Sequence, residues 1–147
     1  MKVHDEHGGS LVEFAIIAPL LFVILFGIIE FGILLYDKAM ITNASREGAR
    51  SGIVFTNGAR TSDADIKKVV KDYLGNGSYL ISFGAGSTFN DGNILISETV
   101  EAAGRPTLKV TVNYQFQFLA IQNLLAFFGG GFENPRTLSA VTVMRLE

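Results

Sequence analysis

The chain has 147 residues, 48% of them hydrophobic, with 12 Lys and Arg against 14 Asp and Glu for a formal charge of −2. That length allows one small domain beside any membrane segment, and the near-balanced charge lacks the basic footprint of a nucleic-acid binder. There is no Cys and there are only two His, both within the first seven residues, which excludes disulfides, thiol catalysis and imidazole chemistry in the body of the chain.

In chain order, Met1 to His7 (MKVHDEH) is a short polar head. His4 and His7 stand beside Asp5 and Glu6, a spacing that invites a metal-site reading, but nothing nearby would hold the ligands and a solvated tail is the plainer reading. We expect no metal and no cofactor. Gly8 to Tyr36 follows, GGSLVEFAIIAPLLFVILFGIIEFGILLY. A bilayer core needs about 20 apolar residues of helix at ~1.5 Å rise each, and Leu11 to Tyr36 exceeds that. A secretory signal has a shorter apolar core, about 7–15 residues, with a small-residue cleavage site on its far side, so this stretch reads as a retained anchor. It nevertheless carries Glu13 near its start. A carboxylate costs on the order of 2.5–3.5 kcal/mol at mid-membrane and less near the edge, so some contact must offset it.

Beyond Tyr36 the pattern turns amphipathic with no clear stop until about Gly52. Ala44, Gly48 and Gly52 make a small-xxx-small series that admits a close neighbour, either another helix or the chain's own domain. Asp63 to Leu74 reads as a second helix. Ser62 is its N-cap with Asp65 three residues on, Ile66, Val69, Val70, Tyr73 and Leu74 form one apolar face, and Gly75 suits the C-cap. Asp63 and Asp65 complement the helix dipole rather than bind metal.

From Ser78 the period changes to two. Strands are expected at Ser78 to Phe83, Ile94 to Ala102, Leu108 to Phe118 and Thr137 to Leu146, and short connections favour a meander. The third is the clearest, with Leu108, Val110, Val112, Tyr114, Phe116 and Phe118 on one face and Lys109, Thr111, Asn113, Gln115 and Gln117 on the other. The glycines of GAGSTFNDGN do not open a helix after a strand and read as a turn rather than a phosphate loop. The connection AIQNLLAFFGGGFENP is unusually apolar. Leu124, Leu125, Phe127, Phe128 and Phe132 either cap the open end of the core or form an exposed patch for a partner or the membrane surface.

The expected fold is α+β: a long N-terminal transmembrane helix continuing into a small domain of one further helix packed on an antiparallel sheet of about four strands. Its parts are a leader (1–8), a transmembrane helix (9–36), a helical extension (37–55) and a helix-plus-sheet domain (56–147). No nucleophile–base pair is present, and Glu98 and Glu101 differ in strand parity, so an enzyme is not expected. Lys2 before the anchor against Lys38, Arg46 and Arg50 after it leaves the positive-inside rule leaning slightly against an outward domain.

Gly8-Gly9-Ser10-Leu11-Val12-Glu13-Phe14 resembles the prepilin peptidase site of type IV prepilins. Glu13 to Arg50, EFAIIAPLLFVILFGIIEFGILLYDKAMITNASREGAR, and the closing SAVTVMRLE are similar to the TadE-like pseudopilins of tight-adherence (Flp, type IVc) pilus systems. The resemblance implies a single-pass bacterial inner-membrane protein with a cytoplasmic leader and a periplasmic domain, able to enter a surface pilus. Cleavage would fall between Gly8 and Gly9, where glycine leaves the backbone accessible. Glu13 would then pair with the new α-amino group of a neighbouring subunit, and Phe14 belongs to the same motif. Pro19 lacks an N–H and could loosen the anchor for extraction into a filament. Glu30, in a family-like IIEFG context, reads as an interfacial carboxylate first and a subunit contact second. The partners implied are other pilin or pseudopilin subunits, the prepilin peptidase, the inner-membrane assembly platform and the lipid bilayer, with no nucleic acid. The function implied is that of a minor pilin or pseudopilin in pilus assembly and surface adhesion. A competing reading of the residues is an unprocessed single-pass protein whose sheet domain binds a partner of a secretion or assembly machine.

Overall fold

The computed structural model describes residues 6–56, 58–83, 88–100, 104–127, 129–131 and 133–146. One helix dominates it. α1 (Glu6–Gly52) is 47 residues long and runs unbroken through Pro19, about 70 Å at helical rise. After it come a two-residue ribbon, β1 (Phe55–Thr56) against β2 (Ala59–Arg60), then α2 (Asp63–Tyr73). β3 (Ile94–Val100), β4 (Pro106–Phe116) and β5 (Arg136–Arg145) form an antiparallel sheet in that order, with a short helix, α3 (Ala120–Phe127), in the β4–β5 connection.

The fold is therefore α+β, as the sequence pattern predicts, with one correction: the main sheet has three strands, not about four. Tyr79 to Phe83 alternates like a strand but has no ladder. The Ile81 N–H donates to Asp37 Oδ1 on α1 at 3.0 Å, and Ser82 Oγ accepts from the Gln117 N–H at 3.1 Å. The segment is a strap from α1 to the end of β4, not part of the sheet.

Local chemistry explains the other elements. The Ser62 side chain accepts the Asp65 N–H at 3.2 Å and caps α2. Leu74 is the C-cap, one residue before the glycine expected there, and Gly75 follows at φ +57°, a left-handed conformation that suits glycine. In β4, Leu108, Val110, Val112, Tyr114 and Phe116 are buried, while Lys109 and Gln115 are exposed. This face packs on Ile41, Ala44 and Ala49 of α1 and on Ile66, Val70 and Leu74 of the α2 segment. Arg60 ties the ribbon to both neighbours, pairing with Asp63 at 2.7 Å and Glu98 at 2.6 Å. Glu101 lies outside the described residues.

The core occupies only the second half of α1. From Gly8 to Ile17 every described side chain is exposed, and the most apolar stretch of the helix has no buried residue.

Candidate assembly and membrane site

Gly8 and Gly9 lie in the first turns of α1, both exposed, with nothing within 4 Å of where a Cβ would stand. The leader before them, residues 1–5, lies outside the described residues. Glu13 and Phe14 are exposed, and among the described residues Glu13 has no hydrogen-bond or ion-pair partner. Pro19 is half-buried and lines a groove with Leu125 of α3. The free face of the helix continues upward: Phe14, Leu21, Leu25, Ile28 and Gly32 are exposed and recur at near-helical spacing.

Glu30 is in a different situation. It is buried, only 3% exposed, and its carboxylate accepts three backbone N–H groups: Leu119 at 3.1 Å and Ala120 at 2.5 Å on Oε1, and Ile121 at 3.3 Å on Oε2. These are the otherwise unpaired donors that begin α3, where a negative charge also complements the helix dipole. Glu30 is thus an internal cap of α3, a contact that the reading of an interfacial carboxylate did not include. Its partner lies about ninety residues away in sequence, so the pairing was invisible to local pattern.

The sequence left two roles open for the connection that forms α3. Leu124 and Leu125 do not cap the sheet core; they lie against the membrane half of α1. Leu124 shares a groove with Phe22 and Phe26, and Leu125 shares one with Ala15, Ile16, Pro19 and Leu20. Gly27 permits this approach, since a Cβ there would stand 3.3 Å from Ile121 Cδ1. Phe128 and Phe132 lie outside the described residues.

The small-residue series is occupied by the chain's own domain. Ala44 is fully buried, a Cβ on Gly48 would meet Val70 Cγ2 at 2.5 Å, and one on Gly52 would collide with Leu108 and Ile66. Of the two neighbours that the small-xxx-small series left open, α2 and β4 fill the place.

Sequence reasoning missed Asp37, the residue just past the apolar stretch. It is fully buried, with Oδ1 held by the Ile81 N–H and Oδ2 without a hydrogen-bond partner among the described residues. Burial pushes its pKa up to about 6 despite the opposing effect of the Ile81 hydrogen bond. Its neighbour Lys38 donates from Nζ to the Ser139 carbonyl on β5, and Ser45 Oγ meets Thr142 Oγ1 at 2.7 Å, so polar contacts fasten α1 to the sheet just beyond the anchor. Among the described residues no group of three or more His, Asp or Glu could hold a metal ion.

Residues 8–50 match the family model described as TadE-like protein. The likeness to TadE-like proteins therefore lies in α1. The match begins at the Gly–Gly pair and ends two residues before the helix does, so it supports a TadE-like, pilus-associated protein through the helix alone. No curated protein and no solved structure matches the chain. TadE-like proteins are structural components, and one apolar N-terminal helix together with this family fits a membrane protein.

Proposed function

We propose that this TadE-like chain is a minor pilin or pseudopilin of a tight-adherence (type IVc) pilus, acting as a structural protein in pilus assembly and surface adhesion. The observation that carries the reading is the division of α1. The TadE-like match covers both halves: the N-terminal half lies outside the core of α2 and the sheet, with Glu13 unpartnered among the described residues, while the other half is embedded in that core.

A prepilin peptidase would cut between Gly8 and Gly9, removing Met1 to Gly8 and freeing the Gly9 amine. Glu13 of one subunit would accept the amine of the next, offsetting the cost of its charge in an apolar packing of anchors. Phe14 and the exposed strip from Leu21 to Gly32 would supply the surface of that packing. Pro19 leaves the Ala15 carbonyl without its usual helix donor, a weak point for leaving lipid. The domain would stand on the periplasmic side of the inner membrane, and the other subunits and the assembly platform would be its partners. No catalytic role is assigned to any residue.

Intact mass of the protein extracted from membranes with an active prepilin peptidase tests processing. The expected mass is that of a chain beginning at Gly9; retention of Met1 to Gly8 contradicts it. Glu13→Ala should then abolish filament assembly while leaving the mature protein folded in the membrane.

A further inference from the structure

α3 carries no charged residue and lies alongside the membrane half of α1 rather than over the sheet. Counting about 30 Å of hydrocarbon from Leu11 at ~1.5 Å per residue places the far boundary near Glu30. α3 begins at that level and runs back along the anchor. Ile121 approaches Gly27, Leu124 lines one groove with Phe22 and Phe26, and Leu125 lines another with Pro19 and Leu20. A helix at this depth must satisfy its own terminal polar groups, because hydrocarbon cannot.

α3 does so at both ends. Glu30 takes the N–H groups of Leu119, Ala120 and Ile121, and Asn134 Oδ1 takes that of Phe118 at 3.2 Å. The Asn134 amide donates to the Phe118 carbonyl and to Gln122 Oε1, and Asn123 Nδ2 donates to the Leu119 carbonyl at 2.8 Å. At the C-terminal end the Gly130 N–H returns to the Leu125 carbonyl at 2.8 Å and the Gly129 N–H to the Ala126 carbonyl at 3.1 Å. With Gly129 at φ +75° this is a Schellman cap. The polar side chains of this apolar helix are thus turned onto its own ends or onto Asn134. Two grooves of about 560 and 500 Å³ separate α3 from α1, lined by apolar side chains apart from Asn123 and continuous with the exposed apolar surface of the anchor.

We propose that α3 is a second membrane-embedded element, sunk in the leaflet on the domain side of the bilayer, and that phospholipid acyl chains fill the grooves between it and α1. The idea rests on α1 being a membrane span, as the proposed function requires.

The natural chain has no Trp, so single tryptophans report depth cleanly. In the full chain reconstituted into phosphatidylcholine vesicles, Leu124→Trp should lose most of its emission to acyl-brominated lipid, as Ile28→Trp on the anchor does, and should resist aqueous iodide. Tyr79→Trp, on the exposed strap, should show the reverse. Quenching of Leu124→Trp by iodide and not by brominated lipid overturns the proposal; so does protection from both, which would mean that protein covers the groove. Failure of Ile28→Trp to respond to brominated lipid would sink the anchor reading itself, so the two failures are distinguishable. Should Leu124→Trp not fold, a nitroxide on Ala126→Cys, an exposed position of α3, serves instead. Collision with oxygen exceeding that with a water-soluble nickel complex supports insertion, and the opposite order overturns it.

Discussion

The two halves of α1 are one helix in two solvents. From Leu11 to Ile29 its side chains are apolar apart from Glu13 and mostly exposed; above Asp37 the inward positions Ile41, Ala44, Gly48 and Gly52 are buried. Apolar exposure on this scale is unstable in water and marks an interface with lipid or protein. Two acidic residues of α1, Glu13 and Glu30, sharpen the contrast. Glu30 has three N–H partners within the chain, whereas Glu13 has none among the described residues. A carboxylate satisfied internally serves the fold of its own subunit. The one left open at the far end of the same helix is, in the function proposed above, the contact for another subunit.

Substitutions can break the contrast from the domain side first. Ile66→Ala removes a fully buried side chain that faces Gly52, and should cost about 2–5 kcal/mol by denaturant unfolding of the domain in detergent. Gly48→Val drives a side chain into Val70 and should cost about 1–3 kcal/mol. Glu30→Ala leaves the first N–H groups of α3 without their acceptor, a loss of about 1–3 kcal/mol confined to that helix. Hydrogen exchange should then speed up at Leu119 to Ile121 and stay unchanged in β4.

Asp37 gives the boundary between the halves a pH signature. Burial raises its folded pKa to about 6, above the ordinary carboxylate value, so the folded state holds the proton more tightly than the unfolded state does. Stability is therefore greatest at low pH, declines as pH rises through the window between those values, and levels off above about 6. Asp37→Asn should flatten this dependence and raise the melting temperature at neutral pH. Smallest of all, Leu21→Ala on the free strip should change domain stability by no more than about 0.5 kcal/mol. Any larger loss would show that the lower half is packed within its own subunit.

Much of this architecture is legible in the sequence because its causes are local. Leu108 to Phe116 alternates in one register, Ser62 and Gly75 bracket α2, and α1 is written in its own length. What escaped is what depends on distant partners. AIQNLLAF is too short to hold as a helix alone; Glu30, 90 residues from Ala120, caps it, and Asn134 adds a contact 16 residues from Phe118. Tyr79 to Phe83 has the period of a strand, but its Ile81 N–H donates to Asp37 on α1 and its Ser82 hydroxyl accepts the Gln117 N–H at the end of β4. Asp37 itself carries no local signal beyond closing an apolar run. Gly48 and Gly52 announced a close neighbour without saying which, and only the placement of α2 decides it.

The absence of Cys from the chain makes the division of α1 directly measurable. Single cysteines at Leu21, Leu25 and Ile28, oxidised in membranes of cells assembling the pilus, should give subunit-to-subunit disulfides. Cysteine at Ala49, buried in the domain, should give none. Cross-linking at Ala49 with none along the Leu21 to Ile28 strip would contradict the assignment of the free half to assembly.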